Sequence, residues 1–387
     1  MTRLLDVTRL VSRAGRPLTG VDRVEFAWLD HLLQLDTPVF GLLRTSLGYV
    51  LLDRAGCARL HLRIRENSWP APDRLGRLAR KNNPQRAGAE TELRDLAVAR
   101  TLTVGLARML RKHLPRGVHY VNVGHTNFTR RVIDALDRID ARKAVLVHDT
   151  IPLDYPQFQR PGSVDRFAGF LAHVADSADL ILCNSQQTQA DVTRHIGADH
   201  QMLVAPLGVV PPRPTRLPKG SWDSPYFVTL GTIEPRKNHA LLLDLWETGN
   251  IDADLLIIGG RGWENHDTFA RLDAQPSRVH ELPNLTDGEI AALMQGAAGF
   301  LFPSLAEGYG LPPIEAACLQ VPILCNDLNI YGETLGPISV YADVKDVTLW
   351  QKTIQAMAQD CRENRKQSYE YAAPSWDAHF EIALTRI

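Results

Sequence analysis

The sequence predicts an α/β chain of two doubly wound, Rossmann-like domains, each a parallel sheet with helices on both faces. Three observations predict it. Short apolar runs alternate with longer amphipathic segments along most of the 387 residues, as successive βα units do. A dense proline cluster cuts that alternation in two. The chain is also longer than one hydrophobic core usually serves, so two domains of ordinary size are the default.

In the first half, Tyr120–Val123, Ala144–Val147 and Leu180–Cys183 are short, β-branched or leucine-rich, and bounded by polar turns. That is the pattern of parallel strands buried on both faces. Helical patterns separate them: Thr129–Arg138, and Val164–Ala175 with apolar positions at Phe167, Phe170, Leu171 and Val174. The second half repeats the plan, with strands at Tyr226–Leu230, Leu255–Ile258, Phe300–Phe302 and Ile323–Cys325. Helices are expected at Ala240–Glu247, Asp287–Gln295 and Pro312–Leu319, and Thr286 three residues before Glu289 supplies a capping box for the second.

Between the halves, Pro206, Pro211, Pro212, Pro214 and Pro218 fall within thirteen residues, interleaved with Gly208 and Gly220. That density forbids helix and central strand alike and reads as a stiff linker. The expected domains are therefore 1–207 and 208–370, with a helical segment 371–387 crossing back to the first. Ligands of open α/β sheets bind beyond the carboxyl ends of the strands, so two such domains facing each other would enclose a cleft.

Composition narrows the function. Charges nearly cancel, 43 Lys plus Arg against 44 Asp plus Glu, which argues against a nucleic-acid partner held by bulk positive charge. Apolar runs are too short to span a bilayer, and Arg3, Asp6, Arg9 and Arg13 interrupt the N-terminal apolar stretch, so neither a membrane span nor a secretory signal is expected. The expected location is the cytoplasm. Cys57, Cys183, Cys318, Cys325 and Cys361 show no CxxC spacing and read as reduced, mostly buried thiols.

One segment departs from the neutral total. Arg74 to Arg116 holds eleven basic residues against Glu90, Glu92 and Asp95, a local excess near +8 in a chain of −1. Its second part, Leu96–Leu114, has helical periodicity with arginines on the outer faces. The segment is a candidate for peripheral contact with an anionic membrane surface, against the plainer reading of a solvated helix and loop.

The stretch richest in chemistry is LFPSLAEGYGLPPIEAA. A strand leads into a turn holding Glu307, Gly308 and Gly310, and Pro312–Pro313 then opens a helix whose first turn is expected to carry Glu315. Glycines let backbone N–H groups approach a ligand closely, and a helix N-terminus favours an oxyanion. One carboxylate ahead of such a site and one behind suit a ligand that presents both phosphates and hydroxyls. Arg236 and Lys237 follow the strand Tyr226–Leu230 and would neutralise a departing diphosphate. His148 ends the strand Ala144–Val147, and Asp149 and Pro152 shape the loop after it. Asp252 and Asp254 superficially resemble a metal-binding DxD; they precede a strand, and no metal site is expected.

Together these residues resemble the retaining glycosyltransferases of family 4, which have the two-domain GT-B fold. EGYGLPPIEA is similar to that family's Glu-x7-Glu motif. TGVDRV, VNVGHTNF, VHDTIPLDYP, ADLILCNSQQTQADV, PLGV, LGTIEPRKNHALLL, IIGGRGW and SWDAHFEIAL resemble it in the family's usual order, across nearly the whole chain. HDTIPLDYP and EPRKN look most like the branch that builds bacterial polysaccharides, where mannosyl and rhamnosyl transfer are common.

The resemblance implies an acceptor-binding first domain and a nucleotide-sugar-binding second domain. Glu307 would contact hydroxyls of the transferred sugar, and the backbone of Gly308, Tyr309, Gly310 and Leu311 would hold sugar and phosphate. Glu315 would bind the nucleotide ribose, and Arg236 and Lys237, beside Gly231, would stabilise the leaving diphosphate. Gly20 would face that diphosphate from the first domain, His148 would hydrogen-bond the sugar, and His125 and Asp149 would lie on the acceptor side. Two departures from the pattern are visible: Thr232, not arginine, follows Gly231, leaving Arg236 as the substitute, and Gly20 follows Thr19 rather than a second glycine.

The implied donor is a nucleotide diphosphate sugar, GDP- or UDP-linked, with no other cofactor; the implied acceptor is a glycan or a polyprenyl-linked sugar. No general base for inversion is singled out, and a covalent intermediate would need a carboxylate nucleophile; the resemblance implies same-face attack instead, with the departing phosphate taking the acceptor's proton. The alternatives are a sugar-nucleotide epimerase of the same fold and a non-catalytic binding subunit.

Overall fold

A computed structural model, which describes every residue but Pro212, Lys366 and Gln367, folds the chain around two sheets. The first has eight strands in the order β4-β3-β2-β1-β5-β6-β7-β8. They are β1 Arg3–Asp6, β2 Val39–Thr45, β3 Gly48–Leu52, β4 Ala99–Thr101, β5 His119–Asn122, β6 Arg142–Val147, β7 Leu180–Cys183 and β8 Met202–Val204. The second has six, all parallel, in the order β11-β10-β9-β12-β13-β14. These are β9 Tyr226–Leu230, β10 Asp254–Ile258, β11 Val279–Leu282, β12 Gly299–Phe302, β13 Ile323–Cys325 and β14 Val340–Tyr341.

The strand order reverses between β1 and β5 in one sheet and between β9 and β12 in the other. At such a reversal the connections leave toward opposite faces and open a crevice at the carboxyl ends. The loops after β9 and β12 are those carrying Arg236, Lys237 and Glu307, so topology alone brings them together.

Two expectations need correction. The first sheet is mixed rather than wholly parallel: a turn at Ser46–Leu47 folds β3 back antiparallel to β2, and β4 pairs antiparallel to β3. The stretch Leu96–Leu114 is not one helix. It contains β4 and a short 3-10 turn, and the α-helix covers only Leu106–His113. Backbone pairing with β3, supplied by a distant part of the chain, overrides a local periodicity of 3.6.

No helix or strand interrupts the chain from 205 to 225, as the prolines require; Pro212 lies outside the described residues. Ala205, Leu207 and Val209 of this linker are buried in a core that also contains Leu5 and Trp28 of the first lobe and Phe302 and Ile314 of the second. The C-terminal helix Trp376–Ala383 packs on the first lobe. Phe380 lies 5.1 Å from the Trp28 ring and stacks at 3.8 Å on His31, and the Arg3 guanidinium donates to the Ile387 carbonyl at 3.0 Å. His379 Nδ1 donates to the carbonyls of Ala205 and Pro206, both at 3.1 Å. One lobe is therefore completed by the end of the chain that has just left the other. Among the described residues no helix is long and apolar enough to cross a membrane.

The lobes touch directly at Gly308. A Cβ there would lie 2.8 Å from both the His148 carbonyl oxygen and Asp149 Cβ. Neither can withdraw without moving the end of β6. Gly308→Ala is expected to hold the lobes apart while leaving each folded. Small-angle scattering should show a larger radius of gyration than the native chain with an unchanged far-ultraviolet spectrum; identical scattering curves would show that the contact does not set the closure.

Candidate functional site

Beyond β9 the backbone takes φ +153° at Gly231, where a side chain would press within 3.2 Å of Lys237 Cε. A 3-10 turn, Pro235–Lys237, then directs Arg236 and Lys237 inward. The loop after β12 comes up beside it: the Leu305 N–H donates to the Arg236 carbonyl at 2.8 Å, and the Glu307 carboxylate lands between the cations. Its Oε1 accepts from Arg236 Nη1 at 2.8 Å and from Lys237 Nζ at 2.5 Å. Arg236 also donates to Glu234 at 2.8 Å and to the Ala306 carbonyl at 2.6 Å, and Lys237 Nζ sits 4.4 Å from the centre of the Phe302 ring.

This is two cations against two carboxylates in a buried pocket. Burial pushes the Glu307 carboxyl up, but Arg236 and Lys237 outweigh it and hold the group below its ordinary range. Burial lowers Lys237, with Glu307 pulling the other way. For Arg236, burial is overcome by Glu307, Glu234 and Asp149, and the guanidinium is held charged. Removing one partner of such a cluster leaves an uncompensated buried charge, at about 3–5 kcal/mol.

After Glu307, Gly310 turns left-handed at φ +83° and caps the helix Leu311–Cys318. Among the described residues, the backbone N–H groups of Gly308, Tyr309 and Gly310 donate to no protein acceptor. Three successive free amides ahead of a helix form an anion cradle. Pro312 and Pro313 occupy positions with no N–H to satisfy. The Tyr309 side chain is turned away, its hydroxyl donating to the Leu207 carbonyl at 2.9 Å, so only its backbone is left for a ligand. Glu315 falls in the second turn of this helix, one turn later than expected, because the helix begins at Leu311.

Glu315 is held across the cleft. Arg23, on the first-lobe helix Gly20–Gln34, donates Nη1 to Glu315 Oε1 at 2.5 Å and pairs with Asp287 at 3.1 Å. Burial raises the Glu315 carboxyl, against the opposing pull of Arg23. Gly20 opens that first-lobe helix behind a capping box of Thr19 and Asp22, and Leu311 of the second lobe stands 3.6 Å from where a Cβ would lie, an ordinary contact that a side chain would tolerate.

From β6, His148 is buried with Nε2 2.7 Å from the Val123 carbonyl, and burial drives its pKa down to about 4, so the imidazole is neutral. His125 packs against it at 4.8 Å and against Phe170 at 4.7 Å; burial and the His148 ring lower it well below the usual range. Asp149 faces Gly308, and burial raises its carboxyl to about 6 despite Arg236 nearby.

Two cavities flank Gly308–Leu311. One of about 390 Å³ is lined by Asp149, Asp154, Asp191, Arg194 and Glu307; the other, about 590 Å³, by Arg23, Phe26, Val209, Asp287, Leu311 and Glu315. Sequence reading missed Arg23, Asp154, Asp191 and Arg194. Arg23 stood inside the TGVDRV stretch, but its partner lies 292 residues away and no local pattern announces the pair. Asp252 and Asp254 sit at the start of β10, the end remote from the cleft, and pair with Arg278 and Arg362 and with His280.

Residues 218–374 match the family described as glycosyl transferases group 1. The chain is 30% identical over 228 residues to the serotype-specific mannosyltransferase WbdA of Escherichia coli, covering 52% of this chain and 28% of that protein. It is 28% identical over 237 residues to the O-antigen chain mannosyltransferase B of Escherichia coli, covering 57% and 62%. The chain thus spans under a third of WbdA's length. Among solved structures, Anabaena HepE in complex with UDP-glucose superposes with TM-score 0.63 at 14% identity over 100% of this chain and 99% of that one. Sucrose-phosphate synthase from Thermosynechococcus elongatus gives 0.64 at 14% identity over 99% and 94%. These likenesses carry the fold: the chain has the GT-B architecture, and its residues 218–374 match the glycosyl transferases group 1 family.

Proposed function

We propose that this protein is a retaining hexosyltransferase, moving mannose or a rhamnose-like sugar from a GDP- or UDP-linked donor to a glycan or lipid-linked acceptor in polysaccharide assembly. The observation that carries the reading is Glu307, seated between Arg236 and Lys237 and followed by three free amides, the first of them at Gly308, which abuts the end of β6. A diphosphate lying on those amides would take over the two cations, freeing the Glu307 carboxylate for sugar hydroxyls. The O-antigen mannosyltransferase relatives favour the polysaccharide branch.

The roles follow from position. Arg236 and Lys237 stabilise charge on the leaving diphosphate without a metal, which is electrostatic preorganisation in a dry cleft. Glu315 binds the ribose once Arg23 releases it. His148, neutral and fixed by the Val123 carbonyl, orients the sugar and does not serve as a base. The departing phosphate accepts the acceptor's proton, so positioning supplies most of the acceleration.

A panel of GDP-, UDP-, ADP- and dTDP-sugars should raise the unfolding temperature with one base preferred; no shift with any of them sinks the reading. Lys237→Ala is expected to lower turnover by about 10²–10³. Glu307→Gln should abolish transfer and retain donor binding. Conversion of the donor with no acceptor present would replace transfer by epimerisation.

Activity should also depend on pH through Asp149. Its carboxyl is protonated below about pH 6 and ionised above, so turnover that needs the carboxylate rises through that value and then levels. Asp149→Asn should flatten the limb. His148, already neutral above about pH 4, adds no limb of its own near neutrality, and a limb that disappears in His148→Gln instead would reverse the assignment.

A further inference from the structure

The basic segment takes no part in the site above, and its structure divides it in two. Arg80 and Arg86 pair with Glu90, Arg94 with Asp73, and Arg116 with Asp140. The other seven cations, Arg74, Arg77, Lys81, Arg100, Arg108, Arg111 and Lys112, form no ion pair or side-chain hydrogen bond with any described residue. Asp95 is the one acid of the segment that is likewise unpaired among the described residues.

The same segment also carries apolar side chains that face solvent. The helix Arg74–Ala79 buries only Gly76, which fits against Thr91 and the Ala87 carbonyl, and turns both of its leucines outward. Leu75 is 58% exposed and Leu78 68%; on the loop after β4, Leu102 is 69% exposed and Val104 89%. Single exposed leucines are ordinary, but a helix that buries its glycine and presents its leucines is inside out for a water-facing element.

The two pieces form one face. Arg80, at the end of that helix, pairs with Glu90; Glu90 accepts from the N–H and hydroxyl of Ser46; and Gly48, two residues on, packs against the Thr101 carbonyl and Leu102 Cα. β2 and β4 run the same way as β6, so the face lies on the same edge of the sheet as His148.

We infer that this face docks on an anionic lipid bilayer, with Leu75, Leu78, Leu102 and Val104 entering the headgroup region and the seven cations meeting lipid phosphates. Charge complementarity and the apolar tips together select this partner. A nucleic-acid backbone would pair with the cations but leave the leucines wet. The inference stands on this surface alone and does not depend on the reaction proposed above. If both hold, docking sets the cleft beside the membrane, within reach of a lipid-linked acceptor.

The test is co-sedimentation of the full chain with vesicles of equal parts phosphatidylglycerol and phosphatidylcholine, and with phosphatidylcholine alone. Binding is expected to the first and not the second, at about 0.05 M salt, and to weaken toward about 0.5 M. Neutralising Arg74, Arg77 and Lys81 to Gln should reduce partitioning roughly a hundredfold, at about fivefold per cation. Leu75→Ser with Leu78→Ser should reduce it as well while leaving the cations in place. All five side chains are exposed, so thermal unfolding should not change. Absence of binding at low salt, equal binding to both vesicles, or binding unaffected by the leucine changes would overturn the proposal.

Discussion

A buried carboxylate shared by two buried cations is the constraint around which the cleft is organised. Arg236 and Lys237 could not be carried into the interior on one loop without anions beside them, and Glu234 and Glu307 supply those anions from two different strand ends. The cluster therefore ties the loop after β9 to the loop after β12 at the point where the sheet reverses its winding. It also keeps positive charge in a place already out of water, which is what the proposed exchange of Glu307 for a diphosphate would require.

The relation between the lobes rests on contacts of several kinds. Gly308 gives a steric fit against the end of β6, Arg23 bridges Glu315 and Asp287, and Tyr309 anchors the turn to the linker at Leu207. Gln186 and Gln187, at the start of another first-lobe helix, donate their N–H groups to Glu333 of the second lobe. Most of these are polar and reversible, whereas the linker and the helix Trp376–Ala383 are held by buried apolar packing. The lobes are hinged on an apolar seam and latched by charge, an arrangement that permits opening without unfolding.

Much of the architecture was legible because it follows from local signals. Leu180–Cys183, Tyr226–Leu230 and Ile323–Cys325 are strands with the bounds their apolar runs mark, and the capping box at Thr286 starts its helix where expected. The segments that were not foreseen, β1 to β4 among them, lack that clarity: β1 carries Arg3 and Asp6, and β4 is three residues long. At Leu96–Leu114 the local periodicity was misleading, because an edge strand can be recruited by its neighbour's unpaired backbone whatever its own preference.

The chain's order of residues by itself determined the two α/β halves, the proline joint between them, and the presence of a glycine turn, a helix N-terminus and a cationic pair at strand ends, since each depends on neighbours within a few positions. Only the tertiary structure decided that Glu307 sits between Arg236 and Lys237, that Arg23 reaches Glu315, and that four of eleven cations in one segment are spent on internal pairs while seven have no partner among the described residues. Those facts are distances between residues far apart in the chain, and distance is fixed by how the sheets wind and how the lobes close.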